Sequence, residues 1–141
     1  TGAIGNVITI GNNTGAASIT LAPGTGRVVI GGTNQVDFDG AVPTGGQGGA
    51  GVATIATNST DSVGSIDSDA NAGATTLTVT FATTYSVAPI CVISAADADA
   101  AQMVALTNGA YVTSTATVMT ITFGASETAV TSFNYHCFKT T

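Results

Sequence analysis

The chain alternates hydrophobic and polar residues in short segments, and glycine, asparagine or proline separates one segment from the next. Within the first 40 residues, four apolar pairs keep i, i+2 spacing: Ile8/Ile10, Ile19/Leu21, Val28/Ile30 and Val36/Phe38. A period of two places both members of a pair on one side of a short β-strand. Because the pairs recur every 8 to 11 residues, the pattern predicts an imperfect β repeat.

Strands of three or four residues bury too little apolar surface to be stable alone in water. Burial against other copies of the chain solves this problem, so residues 1–42 are predicted to form an oligomeric, trimeric β-stalk. The alternative is a meander that packs on the rest of the same chain.

Residues 43–74 differ in composition from the segments on either side. Glycine dominates residues 43–51, which predicts a flexible linker. Residues 52–57 are compatible with one more strand, and residues 58–73 are typical of a polar, acidic loop. We therefore expect a hinge here, between the stalk and a C-terminal head.

Residues 75–141 show the clearest strand pattern of the chain. Leu77, Val79 and Phe81 alternate with threonines, as in a strand with one buried side. Residues 89–93 are apolar on both sides, which predicts a central strand. Further strands are expected at 102–106, 111–115, 118–123 and 132–137, the last with Phe133, Tyr135 and Cys137 pointing inward and Ser132, Asn134 and His136 outward. With almost no helical periodicity, the sequence predicts an all-β protein whose head is a small, jelly-roll-like β-sandwich.

Two cysteines, Cys91 and Cys137, lie on apolar segments of the predicted head. They can form a disulfide in an oxidising compartment or remain buried as free thiols. Sequence alone leaves both possibilities open, because it does not give the distance between their Cα atoms.

Composition narrows the range of possible functions. Of the 141 residues, 44% are hydrophobic but only 7% are charged, and the net charge is −6. Arg27 and Lys139 are the two basic residues, too few to bind nucleic acid. No apolar run approaches the roughly 18 residues of a membrane span, so no membrane insertion is expected. His136 is the single histidine and no nucleophile-elbow motif accompanies it, so we expect no enzymatic activity.

One acidic segment has the spacing that opens a calcium loop. Asp67, Asp69 and Asn71 alternate as oxygen ligands do at the start of such a loop. The match ends there, because Ala72 replaces the glycine and Thr78 replaces the bidentate glutamate of the motif. No cofactor is therefore expected, and calcium is the one candidate.

Segments at both ends of the chain resemble fibrous proteins. The N-terminal resemblance is to repeats of phage tail fibres and of fibrous surface proteins from uncultured bacteria, through ITIGNNTGAASITL at 8–21 and GTG at 24–26. The C-terminal segments are similar to modules of phage tail-fibre and virion structural proteins: TTLTVTF at 75–81, APICV at 88–92 and SFNYHC at 132–137. The resemblance implies a trimer with a receptor-binding tip, on a virion or at the cell surface, and it transfers no catalytic residues.

The sequence thus predicts a non-enzymatic fibre protein whose partners are its own copies and a cell-surface receptor, with a glycan as the expected ligand. Tyr111, Tyr135 and Phe138 are candidates for stacking on sugars, although each aromatic side chain also suits core packing. Asn134, Asp97 and Asp99 are candidates for hydrogen bonds to sugar hydroxyls. The alternative is a purely structural subunit, either a capsid decoration or part of a self-assembling extracellular filament.

Overall fold

The computed structural model of the protein describes residues 40–49, 51–69, 74–105, 109–124 and 129–139. The stalk predicted for residues 1–42 therefore lies outside the described residues, apart from residues 40–42, which lead into the first strand.

The described part contains eight strands and one helix. In chain order they are β1 (Thr44–Gly48), β2 (Thr54–Ile55), β3 (Val63–Asp67), β4 (Thr76–Thr80), β5 (Ile90–Ala95), α1 (Ala98–Ala105), β6 (Tyr111–Ser114), β7 (Val118–Thr122) and β8 (Ser132–Phe138).

The strands form two four-stranded sheets in which every pair is antiparallel. The first sheet has the order β1-β4-β7-β6, and the second has the order β2-β3-β8-β5. This arrangement confirms the prediction of a mostly β, sandwich-like architecture. Its pairings are largely non-local, since β2–β3 and β6–β7 are the pairs formed by consecutive strands of the described part.

One apolar core joins the inner sides of the two sheets. Phe123, which follows β7, stacks on Phe133 of β8 with ring centroids 5.6 Å apart. Met119 of β7 approaches Cys137 of β8, with 3.8 Å between the two sulfur atoms. The largest fully buried apolar side chains come from both sheets: Tyr135, Phe133, Ile66, Leu77, Met119, Ile121 and Val79.

The alternation predicted for β4 and β8 is confirmed. Leu77 and Val79 are buried, and their threonine neighbours lie on the outer side of the first sheet. Across that outer side, Thr76 pairs with Thr122, and Thr78 pairs with Thr120. Threonine suits these positions because its branched side chain fits a pleated surface while its hydroxyl stays hydrated.

The glycine-rich segment at 43–51 is not the predicted linker throughout, because residues 44–48 form β1 and pair with β4. The register explains the glycines. A Cβ atom on Gly46 would lie 2.5 Å from the Oγ1 of Thr78, and one on Gly48 would clash with the Oγ1 of Thr76. Glycine here provides room for the threonines of β4 rather than flexibility.

The acidic segment at 58–73 is not a loop throughout either. Residues 63–67 form β3, which lies inside the second sheet between β2 and β8 and buries Ile66 completely. Both β1 and β3 pair with strands of the predicted head, so the folded unit extends upstream of the boundary expected at residue 75.

The prediction of a strand at 102–106 is wrong for residues 102–105, which belong to helix α1. Asp97 precedes the helix and its Oδ1 accepts a hydrogen bond from the backbone N–H of Ala100, at 2.7 Å. This is an N-cap interaction, and the alanines that follow have the highest helix propensity. Ala100 is buried, and Met103, one turn later, packs against the core.

The two cysteines are joined in a disulfide. Cys91 on β5 and Cys137 on β8 face each other directly across the strand pair, with their Cα atoms 4.1 Å apart. The pairing resolves the alternative that the sequence left open.

Among the described residues, no helix combines the length and the apolar character needed to cross a membrane.

Candidate functional site on the outer face of β5 and β8

The residues predicted to bind a ligand do not converge on one site. Tyr111 is exposed on β6 in the first sheet, whereas Asn134 and Phe138 are exposed on β8 in the second. Asp97 and Asp99 lie at the start of α1. Of the predicted set, the structure places Asn134 and Phe138 on the same surface.

Tyr135 lies in the core, not on a surface. Its side chain is 1% exposed, and its hydroxyl donates a hydrogen bond to the backbone carbonyl of Thr60 at 2.7 Å. Burial raises the pKa of the Tyr135 phenol to about 12, because the charged phenolate would be poorly solvated there. This hydrogen bond of the Tyr135 phenol therefore connects β8 to the turn that precedes β3.

This burial predicts a specific dependence of stability on alkaline pH. A phenol whose pKa rises from 10.0 to about 12 on folding stabilises the protein fully below pH 10, and this contribution is lost as the pH rises toward 12. The urea midpoint of the wild type should therefore fall more steeply between about pH 10 and 12 than that of Tyr135→Phe, which cannot titrate there. Equal slopes for the two proteins would contradict the assignment.

Asp97 has a structural role that sequence reasoning did not assign. Besides capping α1, its Oδ2 accepts a hydrogen bond from the backbone N–H of Ser132 at 2.8 Å. One carboxylate thereby connects the helix to the beginning of β8. Asp99 lies in the first turn of α1 and is exposed, which suits the helix dipole.

Strand β5 is not the central strand that its apolar sequence predicted. Among the described strands it lies at the edge of the second sheet, and its pairing partner there is β8. Cys91 is buried, but Ile90 is 61% exposed and Val92 is 51% exposed. The run is apolar on both sides because one side packs in the core and the other lies on an apolar surface.

We call this surface the β5–β8 face and define it by six outward side chains in three cross-strand pairs: Ile90–Phe138, Val92–His136 and Ser94–Asn134. The rings of His136 and Phe138 stack with centroids 6.1 Å apart. Val63 and Ser65 of β3 continue the same two rows beside His136 and Asn134. The face thus passes from an apolar, aromatic end to a hydroxyl and amide end.

The β5–β8 face lacks acidic side chains, in a chain with a net charge of −6. None of its six side chains is a carboxylate, a lysine or an arginine. It is also firmly supported, because β8 is paired on both sides and the disulfide joins it to β5. A rigid, partly apolar surface without carboxylates is suited to contact with another molecule.

Of the calcium-type segment, the structure describes Asp67 and Asp69. Asp67 ends β3, and the backbone N–H of Asp69 donates to the Oε1 of Gln47 at 2.8 Å. Asn71 lies outside the described residues. Among the residues that the structure describes, no group of three His, Cys, Asp or Glu side chains is placed to hold one metal ion.

No protein family matches the chain, and neither does any curated protein or any solved structure. The resemblance of residues 8–26 to fibre repeats thus stays a prediction from motifs.

Sequence reasoning missed Ile90 and Val92 as surface residues. The available signal was the double-sided apolar pattern itself, which is typical either of a central strand or of an edge strand whose outer side meets a partner. Pairing order distinguishes the two, and pairing order is not visible in a single sequence.

Proposed function

We propose that this chain is a non-enzymatic, fibre-type attachment protein that assembles with copies of itself through the β5–β8 face and binds a cell-surface receptor. The observation that carries the proposal is the exposure of Ile90, Val92 and Phe138 on one rigid sheet face. Large apolar side chains grouped on a surface indicate a contact with another molecule.

Charge supports contact between copies. Any two copies with a net charge of −6 repel each other, so they associate best where each presents no carboxylate. The β5–β8 face meets this condition. A closed homotrimer is the assembly that we propose, since residues 8–26 resemble repeats of fibre proteins, which are usually trimers.

The disulfide supports a location outside the cytoplasm. Disulfides persist in oxidising environments such as the cell exterior and virion surfaces. A virion or a cell surface is therefore the location that we propose.

A purely structural subunit is the second candidate, and β5 favours it. This edge strand contains no proline and no charged residue between Ile90 and Ala95, which are the usual devices that prevent edge-to-edge pairing. Pairing of β5 with an edge strand of another copy, repeated without closure, would build a filament.

The assembly is tested by Val92→Lys in the full chain. We expect the wild type to have the mass of a trimer in sedimentation experiments at micromolar concentration, and the variant to shift strongly toward monomer. A lysine on this face adds a charge that an apolar interface cannot solvate. Val104→Lys on α1 is the matched control, because Val104 is similarly exposed, at 47%, but lies outside the face.

A monomeric wild type would contradict both candidates. An open series of masses that Val92→Lys abolishes would favour the structural filament over the closed trimer. If Val104→Lys disrupted assembly as strongly as Val92→Lys, the β5–β8 face would not be the interface.

A further inference from the structure

A cleft of about 430 Å³ lies at the turn before β3, beside the loop that follows β4 and the end of β8. The side chains that matter for its chemistry are Asp61, Ser62, Thr83, Thr84, Tyr85 and Lys139. Its volume lies within the range of small-molecule sites, about 300–1,000 Å³. None of these residues belongs to the β5–β8 face.

Asp61 organises the cleft. Its Oδ1 accepts a hydrogen bond from the backbone N–H of Ala82 at 2.7 Å, and its Oδ2 accepts one from that of Thr83 at 2.8 Å. One carboxylate therefore holds together the two loops that form the walls. Each carboxylate oxygen has a second lone-pair site, so Asp61 can also accept hydrogen bonds from a ligand.

Tyr85 supplies a fixed aromatic ring. It is half-buried and packs edge-on against Phe81, with centroids 4.9 Å apart and an interplanar angle of 76°. Its hydroxyl donates to the backbone carbonyl of Asp61 at 3.1 Å, and its backbone N–H donates to the carbonyl of Ala116 at 2.9 Å. Because the ring, the hydroxyl and the backbone of Tyr85 are each held in place, the side chain loses little conformational entropy when a ligand packs on it.

The cleft contains side chains of both charges, Asp61 and Lys139. Lys139 is the one lysine or arginine among the described residues, since Arg27 lies outside them, and it is exposed on the cleft that contains the carboxylate of Asp61. This pairing of charges favours an uncharged ligand that both accepts and donates hydrogen bonds. A calcium ion would need several oxygen ligands besides this single carboxylate.

We propose that the cleft binds a neutral saccharide unit. Sugar hydroxyls would donate to Asp61 and accept from Lys139 and from the threonine and serine hydroxyls, while an apolar C–H face packs on Tyr85. The inference rests on the proposed attachment function and names the ligand class of the receptor. The cleft is separate from the β5–β8 face, although its residue Lys139 directly follows Phe138, the last residue of β8.

The test is a titration of the full chain, followed by heteronuclear NMR, with the methyl glycosides of glucose, galactose, mannose and N-acetylglucosamine. We expect at least one of them to bind with a dissociation constant on the order of 1 mM. The shifted amides should lie at residues 60–62 and 82–86. Sialic acid, tested in parallel, should bind more weakly, because Asp61 and the net charge of −6 of the chain repel its carboxylate and Lys139 offsets only part of that repulsion.

Two variants locate the site. Tyr85→Leu should weaken binding about tenfold, as expected for the loss of an aromatic stacking contact. Lys139→Met should weaken it several-fold, and this substitution of an exposed side chain does not threaten the fold. Val104→Ala, which shortens an exposed apolar side chain on α1, is the control and should leave binding unchanged.

The outcomes are separable from those of the assembly experiment. Absence of binding by every glycoside, or binding that neither Tyr85→Leu nor Lys139→Met weakens, would overturn the cleft assignment. Tighter binding of sialic acid would overturn the neutral class of ligand. Val92→Lys should retain saccharide binding while it loses assembly, so failure of one proposal does not imply failure of the other.

Discussion

Reduction of the Cys91–Cys137 disulfide is expected to lower the free energy of unfolding by about 4 kcal/mol. The two cysteines are separated by 46 positions, so the cross-link restricts a long loop of the unfolded chain that contains α1, β6 and β7. In a domain of this size, such a loss should lower Tm by about 15 °C or more. Thermal unfolding followed by circular dichroism, with and without dithiothreitol, measures the effect.

The double variant Cys91→Ala/Cys137→Ala separates the cross-link from other effects of the reductant. It should unfold at a temperature close to that of the reduced wild type, and dithiothreitol should not change it further. Because β8 is the one pairing partner of β5 among the described strands, we also expect the variant to assemble less well. An oxidised and a reduced wild type of equal stability would show that the cross-link does not limit the unfolded chain.

The strands that the sequence predicts well are those with one buried side. In β4 and β8 every second residue is hydrophobic and buried, so period-two alternation determines both the strand and its inner side. The outward position predicted for His136 follows from the same alternation and agrees with its exposure. A strand that is buried on just one side therefore has an unambiguous alternation of hydrophobic and polar residues.

The elements that the sequence mispredicts depend on neighbours distant in the chain. Strand β1 is rich in glycine because Thr76 and Thr78 occupy the space above it, and its composition alone indicates a linker. Helix α1 depends on Asp97, whose cap and whose bond to Ser132 are visible only in three dimensions. Eight residues are also too few for a clear helical period.

The two surfaces to which we assign functions were predictable only in part. Asn134 and Phe138 could be assigned to one face from alternation, but their partners Ser94 and Ile90 depend on the register of β5 against β8. The cleft was not predictable, because Asp61 and Tyr85 are 24 residues apart and meet through a backbone carbonyl. A lone aspartate before a strand has no sequence signature of that role.

Gly64 shows how closely the region beneath the cleft is packed. It lies on β3 opposite Tyr135. The preceding turn, whose residues Ser59 and Thr60 are buried, packs beside it. The Oγ of Ser59 accepts a hydrogen bond from the backbone N–H of Ser65 at 3.1 Å. The Tyr135 hydroxyl occupies the same region and reaches the carbonyl of Thr60. These two side chains fill the space beside Gly64.

Gly64→Ala is therefore expected to destabilise the protein by about 3 kcal/mol, near the upper end of the usual cost of overpacking. A Cβ atom at this position would lie 2.5 Å from the Ser59 Oγ and 2.5 Å from the Tyr135 hydroxyl, and it would also clash with the Ser59 Cβ. Both side chains are held by hydrogen bonds, so relief requires movement of the turn. Urea unfolding measures the loss.

Gly40→Ala is the matched control for this substitution. A Cβ atom on Gly40 would make ordinary contacts with Thr60, at 3.5 Å and 3.7 Å, so its effect should stay within about 0.5 kcal/mol. If Gly64→Ala were as mild as Gly40→Ala, the turn that carries Ser59 and Thr60 would have to move freely. The cleft wall beside Asp61 would then lack the rigidity that the proposed saccharide binding requires.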